Sequence, residues 1–166
     1  VEGDGGSKLS KATTPVNRGS RSCGRMRYME KIVIYTDGGS RGNPGPAAIG
    51  VQIQDEQGGV LKEVAQTIGN GTNNFAEYQA VATALDTAKK MFGKKTKEKE
   101  FEIRMDSELV KKQLSYEYQI KDPGLVPLFI EIHNLRVSNF PHLIITHVRR
   151  ELNKEADRLV NEALDA

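Results

Sequence analysis

Four acids stand where an acid needs a reason: Asp37, Glu77, Asp106 and Asp157. Asp37 follows a run of good β-formers, Ile32-Val33-Ile34-Tyr35-Thr36, and opens the glycine- and proline-rich stretch GGSRGNPGP. Glu77 shares a helical stripe with Val81, Ala84, Leu85 and Ala88, so it leans toward a core in which an unpaired charge is costly. Asp106 closes the strand-like FEIRM and precedes a helix, while Asp157 lies one turn into the last helix with Val160 and Leu164 on its inward face. Each acid alone has an ordinary explanation. Asp-Gly is a turn dipeptide, Asp caps helices well, and an acid in a first turn gains roughly 0.3–1 kcal/mol from the helix dipole. Gathered in one place they would repel and raise one another's pKa values, unless divalent cations filled the gap. An all-oxygen set without clustered Cys or His suits Mg²⁺ or Mn²⁺ rather than Zn²⁺, and two such ions about 3.5–4 Å apart serve in-line displacement at phosphorus.

The elements that must position these acids are legible from periodicity. Lys31–Asp37 reads as a strand. Ala47–Asp55 alternates around Ile49, Val51 and Ile53, and EQGG turns the chain into a third strand, Val60–Ile68. Asn73 or Asn74 is a cap for a helix from Phe75 to about Met91. Phe101–Asp106 reads as a strand, followed by a helix from Ser107 to about Leu114. KDPG opens a helix that keeps Leu125, Leu128, Phe129, Ile132 and Leu135 on one face. Leu143–Val148 is a fifth strand and Asn153–Ala166 a closing helix. The order βββαβααβα implies an α/β fold: one mixed sheet, an antiparallel meander continued by parallel crossovers, with helices packed on it. With the first and fourth strands adjacent, Asp37 and Asp106 end at one edge of that sheet.

Composition narrows the setting. The 166 residues suit one folded domain. Residues 1–28 carry a net charge of +4 and almost no large apolar groups, so they are expected to be a disordered basic leader; residues 29–166, at −2, form the domain. The lone Cys23 excludes an internal disulfide framework and a Cys-built zinc site. No stretch approaches the roughly 18 apolar residues of a membrane span, and a cytoplasmic, monomeric protein is expected.

The segments YTDGGSRGNPGPAAIG, GTNNFAEYQA, RMDSELV and HVRRELNKEADRLVNEAL resemble, in order and spacing, the four signatures of type 1 ribonuclease H. The resemblance runs from Lys31 to the C-terminus. It implies a ribonuclease H-like five-stranded mixed sheet with helices on both faces. It also implies a metal-dependent endoribonuclease that cuts the RNA strand of RNA–DNA hybrids to 5′-phosphate and 3′-hydroxyl ends. The family's metal-binding acids fall on Asp37, Glu77, Asp106 and Asp157, with two Mg²⁺ or Mn²⁺ ions in the working complex. Glycines at Gly38 and Gly39 let backbone N–H groups approach phosphates, and Asn43, Asn73 and Asn74 match positions that touch the hybrid.

Two departures matter. Many bacterial members carry a Trp- and Lys-rich protrusion after the Asp106 helix, whereas SYEYQIKDPGLVPLF is short, lacks Trp and is scarcely basic, as in the compact subgroup. Grip on the hybrid must then come from elsewhere, with the basic leader and the lysines of FGKKTKEKE as candidates. His147 lies ten residues before Asp157, where some members have a helpful His, yet it alternates within LIITHV as a strand residue, which leaves Arg149 or Arg150 to supply positive charge. Two other readings stay open: a broader nuclease that also cuts double-stranded RNA, and a non-catalytic binding module, whose mark would have been a lost acid.

Overall fold

The computed structural model describes residues 28–166; the leader expected over 1–28 lies outside the described residues except for Tyr28. Five strands form one sheet: β1 (Lys31–Ser40), β2 (Gly45–Gln54), β3 (Val60–Gly71), β4 (Glu100–Met105) and β5 (Leu143–His147). Their order is β3-β2-β1-β4-β5, with β1–β2 and β2–β3 antiparallel and β1–β4 and β4–β5 parallel. The helices are α1 (Asn73–Phe92), α2 (Glu108–Leu114), α3 (Val126–Asn139) and α4 (Lys154–Asp165). The mixed sheet read from the sequence is therefore the fold.

Strand alternation sends Ile32 and Ile34 of β1, Val51 and Ile53 of β2, and Phe101, Ile103 and Met105 of β4 into the main core. There they meet Tyr78, Val81, Leu85 and Ala88 of α1 and Leu128 and Ile132 of α3. Phe101 anchors this side, edge-on to Phe140 with ring centroids 4.9 Å apart. On the other face Ala48 packs against Val160 and Ala163 of α4, a smaller cluster. No helix among the described residues is long and apolar enough to cross a membrane.

Two boundaries beside the site differ from expectation, each for a local reason. β1 does not stop at Asp37 but runs on to Ser40, because Asp37 through Ser40 keep pairing with Gly50 through Ala47 of β2. Its parallel pairing with β4 ends earlier, at Tyr35–Arg104, so Asp37 projects beyond the point where the two central strands part. Helix α1 is capped by Thr72, whose hydroxyl accepts from Phe75 N–H at 3.1 Å, rather than by Asn73 or Asn74. The lysines of FGKKTKEKE follow α1 in a 3₁₀ turn, Gly93–Glu98. Helix α1 ends at Phe92, fifteen residues beyond Glu77, so at 1.5 Å each these lysines lie about 22 Å or more along the helix from that acid.

Two glycines fix how closely the helices approach. A Cβ on Gly38 would meet the Ala76 carbonyl carbon at 2.2 Å, and one on Gly50 would meet the Ala156 carbonyl oxygen at 2.2 Å. Gly50 is the cross-strand partner of Asp37, and Gly38 is its neighbour in sequence. The starts of α1 and α4 are thus pressed onto the sheet from opposite faces beside Asp37, and Glu77 and Asp157 each follow the touching residue by one position.

Candidate active site

Asp37, Glu77, Asp106 and Asp157 all line one cavity of about 460 Å³ at the end of the central strands. Asp37, Glu77 and Asp106 each offer a carboxylate oxygen within 4.8 Å of the others. Asp157 stands on the cavity wall without joining that close set. Of the expected four-way convergence, three acids meet within 4.8 Å and the fourth lines the same cavity outside that set.

Neighbouring polar groups hold the frame. Asn153, almost fully buried at the start of α4, does not cap its own helix; its Nδ2 donates to the Thr36 carbonyl at 2.9 Å. That bond pins the helix carrying Asp157 to the residue before Asp37. Nothing in the pattern of the sequence signalled it beyond an Asn at a helix start. Ser40 donates its N–H to Asn73 Oδ1 at 2.9 Å, and Asn73 donates its N–H to Asn43 Oδ1 at 3.1 Å. Two of the asparagines read as substrate contacts thus join the β1–β2 loop to α1, with Asn73 also on the cavity wall. Asn74 faces a neighbouring cavity with Gln113 and Tyr118. Gly38 and Gly39 both line the acid cavity, Gly38 with its missing Cβ taken up by α1. Ser40, Arg41, Ser107, Arg150 and Asn161 complete most of the lining and were not singled out as contacts from the sequence, apart from Arg150 as a source of positive charge. His147, exposed at the last position of β5, lies 3.2 Å through Nε2 from the Asp106 carbonyl oxygen.

The electrostatics follow from crowding. Burial pushes Asp37 up to about 7, and the Asp106 carboxylate adds to the rise. Glu77 is also raised, first by burial and then by the charges of Asp37 and Asp106. The N–H of Gly38 works the other way on both, too weakly to win. Asp37 and Glu77 titrate as neighbours, an ionised Asp37 making Glu77 harder to ionise. Glu77 Oε2 is buried with no hydrogen-bond partner among the described residues. An orphaned carboxylate oxygen beside two further acids is a poor structural device and a good cation ligand. The donor set is all oxygen, which fits a pair of hard divalent ions such as Mg²⁺ or Mn²⁺.

A five-stranded mixed sheet with carboxylates gathered where its central parallel strands part defines a ribonuclease H-like fold with a divalent-cation site. The reverse transcriptase-like family matches residues 35–163. Ribonuclease HI of Halobacterium salinarum is 44% identical over 135 residues, covering 81% of this chain and 65% of that protein. A bifunctional protein of Mycobacterium tuberculosis is 42% identical over 137 residues, 82% of this chain and 36% of its own length. Among solved structures, LC11-RNase H1 isolated from compost is 50% identical with a TM-score of 0.79, covering 82% of this chain and 97% of that one. The same protein in complex with an RNA/DNA hybrid matches with a TM-score of 0.78 at 49% identity over 81% of this chain and 96% of that one. The chain belongs to the type 1 ribonuclease H family. It spans 65% of the halobacterial relative and 36% of the mycobacterial one.

Proposed function

We propose that residues 29–166 form the catalytic domain of an endoribonuclease that hydrolyses the RNA strand of RNA–DNA hybrids, leaving 5′-phosphate and 3′-hydroxyl ends. The observation that carries this reading is the cluster of Asp37, Glu77 and Asp106, the first two buried and the third half-buried, crowded and without a countercharge within it. Family membership and the hybrid-bound relative supply the substrate class. Two hard divalent cations held by Asp37, Glu77, Asp106 and Asp157 would lower the pKa of an attacking water and offset charge on the leaving 3′-oxygen.

The chain's own contribution is placement. Asp37 is held in a paired strand and Asp106 directly ends another, so both present their oxygens from stiff backbone. Cations held there would favour the ionised carboxylates of Asp37 and Glu77, which would couple metal binding to pH. Glu77 also accepts a hydrogen bond from the 2′-hydroxyl beside the scissile phosphate, the group that distinguishes RNA from DNA. Asp157, on the wall of the same cavity, would complete the set of carboxylates that hold the ions. Backbone at Gly38 and Gly39 and the side chains of Asn43, Asn73 and Asn74 contact the sugar–phosphate strand and groove edge. Water adds to phosphorus and releases a proton to solvent, the bond from phosphorus to the 3′-oxygen breaks, and the leaving oxygen takes a proton from solvent.

A cytoplasmic, monomeric enzyme is part of the same reading, and double-stranded RNA is its second substrate to test. End-labelled hybrid, RNA duplex and single-stranded RNA are incubated with the protein in Mg²⁺, Mn²⁺ or chelator. Internal cuts confined to the RNA of the hybrid, and only with metal, support the proposal. Metal-independent cutting, or none of the hybrid, overturns it.

A further inference from the structure

Taking the hybrid reading as its basis, we infer that Arg41 is a phosphate-binding residue for the cleaved strand, held in reserve by Asp165 until substrate displaces that partner. The acid cavity must accept a phosphodiester beside four carboxylates, and only two cationic side chains, Arg41 and Arg150, line it among the described residues. Arg41 is four residues past Asp37 on a stem that cannot wander. Its N–H donates to the Pro46 carbonyl at 2.8 Å, and the missing Cβ of Gly45 leaves room for the Arg41 carbonyl, which would stand 2.1 Å from it. Ser40, its neighbour, is tied through N–H and hydroxyl to Asn73.

The guanidinium, by contrast, is lightly held. It pairs with Asp165, whose side chain is 65% exposed, and reaches the Leu164 carbonyl at 3.4 Å. Exposed pairs of this kind contribute about 0–1 kcal/mol. A phosphate in a cavity offers bidentate geometry and less screening, so it competes well for the same fork of donors. Arg158 makes the contrast, because it lies outside the cavity lining and is shared among Glu63, Glu155 and Glu162. One arginine is committed to the scaffold. The other is on a short leash beside the chemistry.

The test measures equilibrium binding of a fluorescently labelled RNA–DNA hybrid in Mg²⁺ over a salt series, in an Asp106→Asn background that does not cut. Arg41→Ala is expected to weaken binding about tenfold and to lower the salt slope by about one, the loss of one phosphate contact, with an unchanged melting temperature. Arg41→Lys should keep the slope and recover only part of the affinity. Arg158→Ala removes the same charge and should change affinity less than about twofold. Asp165→Asn should tighten binding about two- to threefold, and that gain should vanish when Arg41 is also Ala. If Arg41→Ala and Arg158→Ala give equal affinities and slopes, Arg41 does not hold phosphate. If Asp165→Asn tightens binding equally without Arg41, the restraint is not the one inferred. A background protein that fails to bind hybrid at all overturns the functional reading itself, and this inference with it.

Discussion

Two carboxylates on neighbouring central strands are buried to the same extent and behave in opposite ways. Asp37 on β1 and Glu102 on β4 are each 7% exposed. Burial works to raise Glu102, but hydrogen bonds from Arg104 and Lys31 outweigh it and hold it down at about 2. Arg104 Nε lies 2.9 Å and Lys31 Nζ 2.7 Å from its oxygens, and Arg104 also donates to the Tyr35 hydroxyl at 2.7 Å. Asp37 has acids for company and is pushed up to about 7. Burial alone therefore says little about what a carboxylate is for. The sign of its neighbours separates a satisfied structural acid from one kept hungry for a cation.

The largest expected difference between these regions is in activity. Asp37→Asn and Asp106→Asn should each lower hybrid cleavage on the order of a thousandfold or more, a barrier increase of about 4 kcal/mol. Both should leave the metal-free melting temperature unchanged or higher, since each removes a repelling charge. Melting scans alongside cleavage assays check both halves, and a variant that cuts like the parent would break the comparison outright.

Acidity should separate the two acids next. The raised pKa values of Asp37 and Glu77 mean that the folded state holds protons the unfolded chain has released. Their contribution is complete below the ordinary carboxylate range and is lost as pH rises toward 7. In chelator, stability should fall across roughly pH 4 to 7, and Mg²⁺ or Mn²⁺ should restore it near neutrality. Glu102 runs the other way: its contribution is present above about 4.5 and is lost as pH falls toward 2. Melting curves against pH test this, with Asp37→Asn flattening the loss between pH 4 and 7.

Glu102→Gln should leave the cleavage rate within about twofold of the parent while costing roughly 1–3 kcal/mol of stability, because two cations lose their shared partner. Denaturant unfolding reads the loss; a fall in cleavage comparable to that of Asp37→Asn would join the two regions rather than divide them. Smallest of all, Lys31→Ala should cost under about 1 kcal/mol, since its amine is partly exposed and Arg104 stays in place.

Much of the site was visible before folding was considered, for reasons that particular residues make clear. Glu77 broke an apolar stripe, and an acid at the rim of a core advertises itself because burial of charge is costly. Asp37 was marked by the β-formers before it, although it proved to lie within a paired strand, since pairing depends on β2 and not on local propensity. Asn153 left no mark, because its partner, the Thr36 carbonyl, is 117 residues away. Nor did the lysines after α1 betray their distance from the acids, which helix length alone set. Glu102 and Arg104 looked like an ordinary alternating strand, and Lys31 joined them only through the parallel register of β1 and β4.

The chain by itself determined its strands and helices, the identity of the four acids and the oxygen-rich chemistry they can perform, because periodicity and residue type are local properties. Tertiary structure alone decided that three of those acids meet closely while Asp157 waits on the wall. It also decided that Glu102 is neutralised, and that one arginine is bound into the scaffold while another is left within reach of the site. Such outcomes depend on distances between remote residues, and charge interactions vary with distance and burial in ways that no linear spacing encodes.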